Sequence, residues 1–246
     1  MENTPSCKCN VRHFQWLAFV LFFWTEFFAI FNQGCVLFDY KDAMLFKEIN
    51  PAYFVYQIAA ITTLTSALIL LSKMAEKMAT AIVLRRTAIG ILLLTLVNLG
   101  IQYYKNEYPV SSITASLIPS LFFLVKTVLY LYLYGVIYRN NSEEKKGRQA
   151  LMGMFIVSYV VSTLWQAIFM LHFNLQVLAI GNLVISLFSL FFGYRFFTSA
   201  IFSGKKNCEP SPKGTYKFWN KFFTLYLVIG FGGMMVIQLI SILVNE

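Results

Sequence analysis

Charge is what this sequence has least of. Asp, Glu, Lys and Arg together make up 13% of its 246 residues, about half the share of an ordinary globular chain. Aspartate occurs only at Asp39 and Asp42, and histidine only at His13 and His172. No HExxH, GxSxG or glycine-rich phosphate loop is present, and no aspartate stands inside an apolar run. Zinc, serine and aspartyl hydrolases and a histidine-built metal site are therefore not expected, and neither a catalytic residue nor a cofactor is assigned. Cysteine is limited to Cys7, Cys9, Cys35 and Cys208, too few and too scattered for a disulfide scaffold. Cys7-x-Cys9 has the spacing to hold a metal or an acyl chain, although two reduced thiols are the simpler reading. Polar stretches are equally short, which excludes a disordered chain or a nucleic-acid module.

What the sequence does have is apolar bulk. Hydrophobic residues reach 58%, with 25 Phe and 14 Tyr. A soluble domain of this length lacks the interior to hide so much apolar surface, so the expected class is an all-α, polytopic integral membrane protein. A membrane helix needs about 20 apolar residues. Seven runs qualify: Phe14 to Asn32, Ala52 to Ser72, Thr87 to Tyr104, Ile113 to Tyr138, Leu151 to His172, Leu175 to Tyr194 and Phe218 to Val244. They leave room for one transmembrane domain over residues 1–246, a seven-helix bundle. The first run is too long and too bulky for a cleaved signal peptide. Met74 to Arg86, with Glu76, Lys77, Arg85 and Arg86, reads as an interfacial lead-in to the third span. Only Phe173 and Asn174 separate the fifth span from the sixth, which predicts a tight hairpin.

The net charge of +9 is unevenly placed. With seven spans, 16 Lys and Arg residues fall in the N-terminal tail and the second, fourth and sixth loops, against Lys41, Lys47 and Lys105 on the other side. Basic loops stay inside, so the N-terminus is expected inside and the C-terminus outside. The same loops suit anionic headgroups at the inner face. The plasma or inner membrane is the expected location, with the lipid bilayer as partner and no role for nucleic acid.

Two charges lie deep within the runs, Glu26 in the first and Lys126 in the fourth. Charges in hydrocarbon face the protein interior and tend to pair. At 1.5 Å per residue their depths differ by about 5 Å, so they are candidate ion-pair partners, either locking two helices or serving a solute. Gln57, Asn98, Gln166, Asn182 and Gln238 fall in the outer halves of five other spans. Convergent, they would line an outward-facing polar vestibule with Lys126 at its floor; dispersed, they are interhelical hydrogen bonds. Tyr130 and Tyr134 follow Lys126 at i+4 spacing, either as an aromatic track leading inward or as packed rings. Ser158/Ser162, Ser189/Gly193 and Gly230/Gly233 have the small-residue spacing of close helix contacts. The function these features suggest is a carrier or solute-binding membrane subunit for a small polar or anionic solute. The competing reading is a non-transporting sensory, assembly or accessory membrane protein.

Overall fold

The computed structural model describes residues 7–38, 51–107, 112–165 and 175–203; almost all of these are helical and none is in a strand. In chain order the helices are α1 (Cys7–Phe22), α2 (Trp24–Leu37), α3 (Pro51–Met74), α4 (Met78–Glu107), α5 (Ser112–Asn140) and α6 (Lys145–Phe155). A π-helical turn (Ile156–Val161) prolongs α6, and residues 162–165 return to α-helix. α7 (Leu175–Phe197) follows, closed by a 3-10 turn (Ala200–Phe202). The predicted seventh span and the hairpin at Phe173–Asn174 lie outside the described residues, as do Gln166 and Gln238.

Among the described residues three helices, within α3, α4 and α7, are long and apolar enough to cross a membrane, and the bent α1–α2 pair makes a fourth crossing if it is one span. Their side chains are sorted as a bilayer requires. On α4, Ile89 and Leu93 are more than half exposed, and Leu96 and Tyr103 continue the same stripe, whereas Thr80, Thr87 and Ala88 are buried. On α7, Ile180, Val184, Leu187 and Phe191 face outward, whereas Ala179, Ser186 and Ser189 are buried. Water would not tolerate apolar stripes of that length; lipid does, and helices in lipid meet through their small residues.

One of the expected elements is corrected and another extended. The first span is not one rod: it breaks at Phe23 and turns by 52°. No proline or glycine is at the break. Phe23 leaves helical geometry (φ −93°, ψ 16°), and its ring seats against Gly193 of α7. The lead-in ending at Arg86 is continuous with the third span, because α4 begins at Met78 and runs 30 residues without a break. That is about 45 Å of helix, longer than the hydrocarbon core. Arg85 and Arg86 therefore belong to its first turns near the membrane surface, where Arg85 Nε donates to Ser72 Oγ at 3.2 Å.

The helices follow one another around the bundle: α5 packs on α4, α4 on α3, α3 on α1, α2 on α7 and α7 on α6, while α5 and α6 touch far less. One end is stitched shut by the connections. Gln15 Nε2 donates to the Phe202 carbonyl at 3.1 Å, and the Glu76 amide donates to the Ile201 carbonyl at 3.1 Å. Buried Asn141 donates to Thr80 Oγ1 at 3.1 Å and to the Ile137 carbonyl at 2.8 Å. Lys77 and Glu143 approach to 3.7 Å, and Arg148 lies over the Tyr138 ring at 3.9 Å. The start of α1, the α3–α4 connection, the α5–α6 connection and the turn after α7 thus meet at one basic end. Most of the buried core, from Phe19 and Leu71 to Leu84, Ile137, Leu151 and Phe197, lies toward it.

A Cβ at position 193 would collide with the Phe23 ring, whereas one at position 100 meets nothing within 4 Å. Gly193→Ala should lower stability by about 1–3 kcal/mol, and Phe23→Leu in that background should recover part of it. Gly100→Ala should be neutral or stabilising by up to about 1 kcal/mol. Thermal melts in detergent measure all three, and an unchanged melt for Gly193→Ala would remove the Phe23–Gly193 contact as the seat of the bend.

Candidate functional site

α7 presents a seam of small and polar residues at alternating spacings of three and four: Ala179, Asn182, Ser186, Ser189 and Gly193. Each neighbour uses this seam. Glu26, one turn past the break at Phe23, accepts a hydrogen bond from Ser186 Oγ at 2.8 Å. On the other flank Ser158, inside the π-helical turn, shares a 2.6 Å hydrogen bond with Ser189 Oγ. The one carboxylate of α2 and the irregular turn of α6 thus meet α7 within one helical turn of each other. π-helical turns are frequent at functional sites.

Glu26 and Lys126 are not an ion pair. The Glu26 carboxylate is held by the Ser186 hydroxyl, and among the described residues no carboxylate lies on the Lys126 ammonium. The reason lies in the order of the helices, since α2 sits against α7 and α3, while α5 sits against α4 and α6. The two charges are nevertheless about level. Tyr130 meets Tyr159 at 6.1 Å between ring centroids, and neighbouring Ser158 meets Ser189. Lys126 is one turn before Tyr130, and Ser186 about one turn before Ser189, on helices that both run toward the basic end.

Lys126 also occupies an informative face. Tyr130, Leu133 and Ile137 are 7%, 2% and 0% exposed and mark the packed side of α5. Position 126 is four residues before Tyr130, within about 40° of that side, yet Lys126 is exposed. The packed face of α5 is therefore closed toward the basic end, and one turn farther out it is exposed at Lys126, as are the flanking positions Leu124, Val125 and Val128. α4 changes in the same direction: Leu84, Ala88 and Ile91 are buried, and Thr95, Asn98 and Gln102 continue the same face half-buried. On α3, Gln57 stands half-buried in line with buried Ile61 and Leu68, and on α7, Asn182 stands half-buried in line with Ser186.

No family model, curated protein or solved structure matches the chain.

Tyr130 and Tyr134 form an aromatic cluster with Phe155 and Tyr159. Tyr130 stacks on Tyr134 at 6.0 Å, and Tyr134 meets Phe155 edge-on at 5.9 Å. They bridge α5 and α6 where backbone contact is thin. Ser186, Tyr159, Thr95 and Gln102 extend the set read from sequence. Ser186 had a signal, the three-four spacing of α7, whereas Tyr159 had none, because nothing local marks the π-helical turn. Among the described residues no group of three or more His, Cys, Asp or Glu could hold a metal.

Residues in contact couple, and residues apart add. Glu26→Ala and Ser186→Ala should therefore show a coupling of about 0.5–3 kcal/mol, whereas Glu26→Gln and Lys126→Met should add within about 0.3–0.5 kcal/mol. Double-mutant cycles on the solubilised protein read both. Strong coupling between positions 26 and 126 in ligand-free protein would mean that the two side chains do meet.

Proposed function

We propose that the protein is a multi-pass membrane carrier or solute-binding membrane subunit for a small polar solute. The polar half of the bundle is its binding chamber. The observation that carries this reading is Lys126, exposed on a face of α5 that is closed one turn deeper. A lysine on a lipid-facing stripe would be expensive, whereas a lysine on an inward face with water above it is not. Gln57, Asn98 and Asn182 support the same reading, each continuing a buried face into a half-buried polar position. The break at Phe23 and the π-helical turn support it further, because discontinuous helices flank the solute site in many carriers.

In this reading seven spans cross the membrane with the N-terminus inside. The stitched basic end faces the cytoplasm and the chamber opens to the other side. The inner loops rest on anionic headgroups. Cysteines introduced at Lys145 and Lys206 should label only from the cytoplasm and one at Lys41 only from outside. Labelling of positions 145 and 41 from the same side would overturn the arrangement.

The chamber has its own test. In a background without the native cysteines, Lys126→Cys and Asn98→Cys should react with a charged, membrane-impermeant thiosulfonate, and Leu133→Cys should not. Rates at positions 126 and 98 should exceed that at 133 by about ten-fold or more, the difference between an open and a closed packed face. Equal inertness at all three positions would mean a dry interior and would favour the accessory-protein reading instead.

A further inference from the structure

The chamber, if it binds a solute, confronts it with one charge of each sign. Of the eleven acidic and twenty basic residues, only Glu26 and Lys126 lie in the middle of apolar runs. They come from different parts of the bundle, Glu26 from α2 against α7 and Lys126 from α5 between α4 and α6, at about the same level. Neither neutralises the other. Glu26 accepts one hydrogen bond from Ser186, and an ionised carboxylate has room for more donors. Lys126 has no carboxylate partner among the described residues. The α4–α5 register, set by Asn141 on Thr80 and by Leu129 against Gly90, brings Lys126 to the level of about residues 93–95. Thr95 and, one turn on, Asn98 are half-buried polar residues of α4 at or just beyond that level.

We propose that the solute is a zwitterion, its carboxylate taken by Lys126 and its ammonium by Glu26. This rests on the chamber reading above and adds the chemical class. Opposite charges that do not pair with each other, set in a wet chamber with protein walls, each exchange water for an opposite charge at a gain larger than in bulk solvent. An anion entering between them satisfies Lys126 but is repelled by Glu26; a cation does the reverse. A neutral solute satisfies neither. Only a molecule with both charges completes both sites and leaves the interior with no net charge. Thr95 and Asn98 add hydrogen bonds at the carboxylate end.

The test uses the full chain in lipid nanodiscs at constant ionic strength, with glycine, 4-aminobutanoate and 6-aminohexanoate as zwitterions of growing charge separation. Butanoate and butylamine are the single-charge controls. Calorimetry or thermal shift should find at least one zwitterion bound about ten-fold tighter than either control, equivalent to about 1.4 kcal/mol. Glu26→Gln should reverse the preference toward butanoate, and Lys126→Met should reverse it toward butylamine. A reversal of preference is a readout that mere loss of folding cannot produce, and Lys126→Arg and Glu26→Asp should retain zwitterion binding. Butanoate binding as tightly as every zwitterion would overturn the proposal, as would no probe binding at all. If the Lys126→Cys variant still labels from water, either result leaves the chamber reading standing. If it does not, both fall.

Discussion

Between two helices in a bilayer there is no hydrophobic drive to associate, because lipid tails are as apolar as leucine. Close van der Waals fit and a few hydrogen bonds have to hold them. α7 meets that constraint through its small residues. Gly193 admits the Phe23 ring, Gly181 admits Trp165, and between them Ser186 and Ser189 bind one neighbour each. Phe192 fits over Gly153 of α6 on the same flank. Interhelical hydrogen bonds of this sort contribute about 0.6 kcal/mol each on average, so the fit matters as much as the bonds. Most large side chains along the middle of α7 are turned the other way, into lipid, with Arg195 laid over Phe191 at the basic end.

Both irregular elements border this seam. A straight first helix would carry its aromatic residues past α7; the bend at Phe23 instead keeps α1 on α3 and the basic end while α2 turns to follow α7. The π-helical turn changes the register of α6 where Ser158 must meet Ser189, and it directs Tyr159 toward Tyr130 and Tyr134. Each irregularity is thus fixed by a specific contact across the interface. The outcome is a bundle dense at the stitched end, where Leu84, Leu133, Ile137 and Phe197 interlock. Farther out, Gln57, Asn98 and Asn182 are half-buried and Lys126 is exposed, alongside buried Trp24, Phe28, Leu99 and Ala179.

Sequence revealed the class and the helices well, because apolar runs of about 20 residues leave few alternatives. The bounds of α3, α5 and α7 differ from the expected spans by three residues at most. What it hid was any feature fixed by a partner helix. Nothing within Phe14 to Asn32 announces a break at Phe23, whose ring lies on a glycine 170 residues away. A third run begun at Thr87 understates α4, because hydropathy registers the charge of Arg85 and Arg86 and not the length of the helix that carries them. The depth of Glu26 and Lys126 was legible, but their pairing was not. Depth follows from counting residues along a helix, whereas pairing depends on which helices are neighbours.

That distinction bears on what the two charges do. A buried ion pair is a lock: desolvation offsets most of its attraction, and what it chiefly fixes is one arrangement of helices. Here the helices are fixed without such a pair: Glu26 holds α2 to α7 through Ser186, beside Phe23 on Gly193, and α5 is held to α4 through Asn141 and the core below Tyr130. Lys126 is not required as a clasp. A charge retained at that depth without a structural task is the pattern expected of a site. The same serine that orders Glu26 belongs to the seam that assembles α7, so the chemistry of the interior and the packing of the bundle share one set of residues.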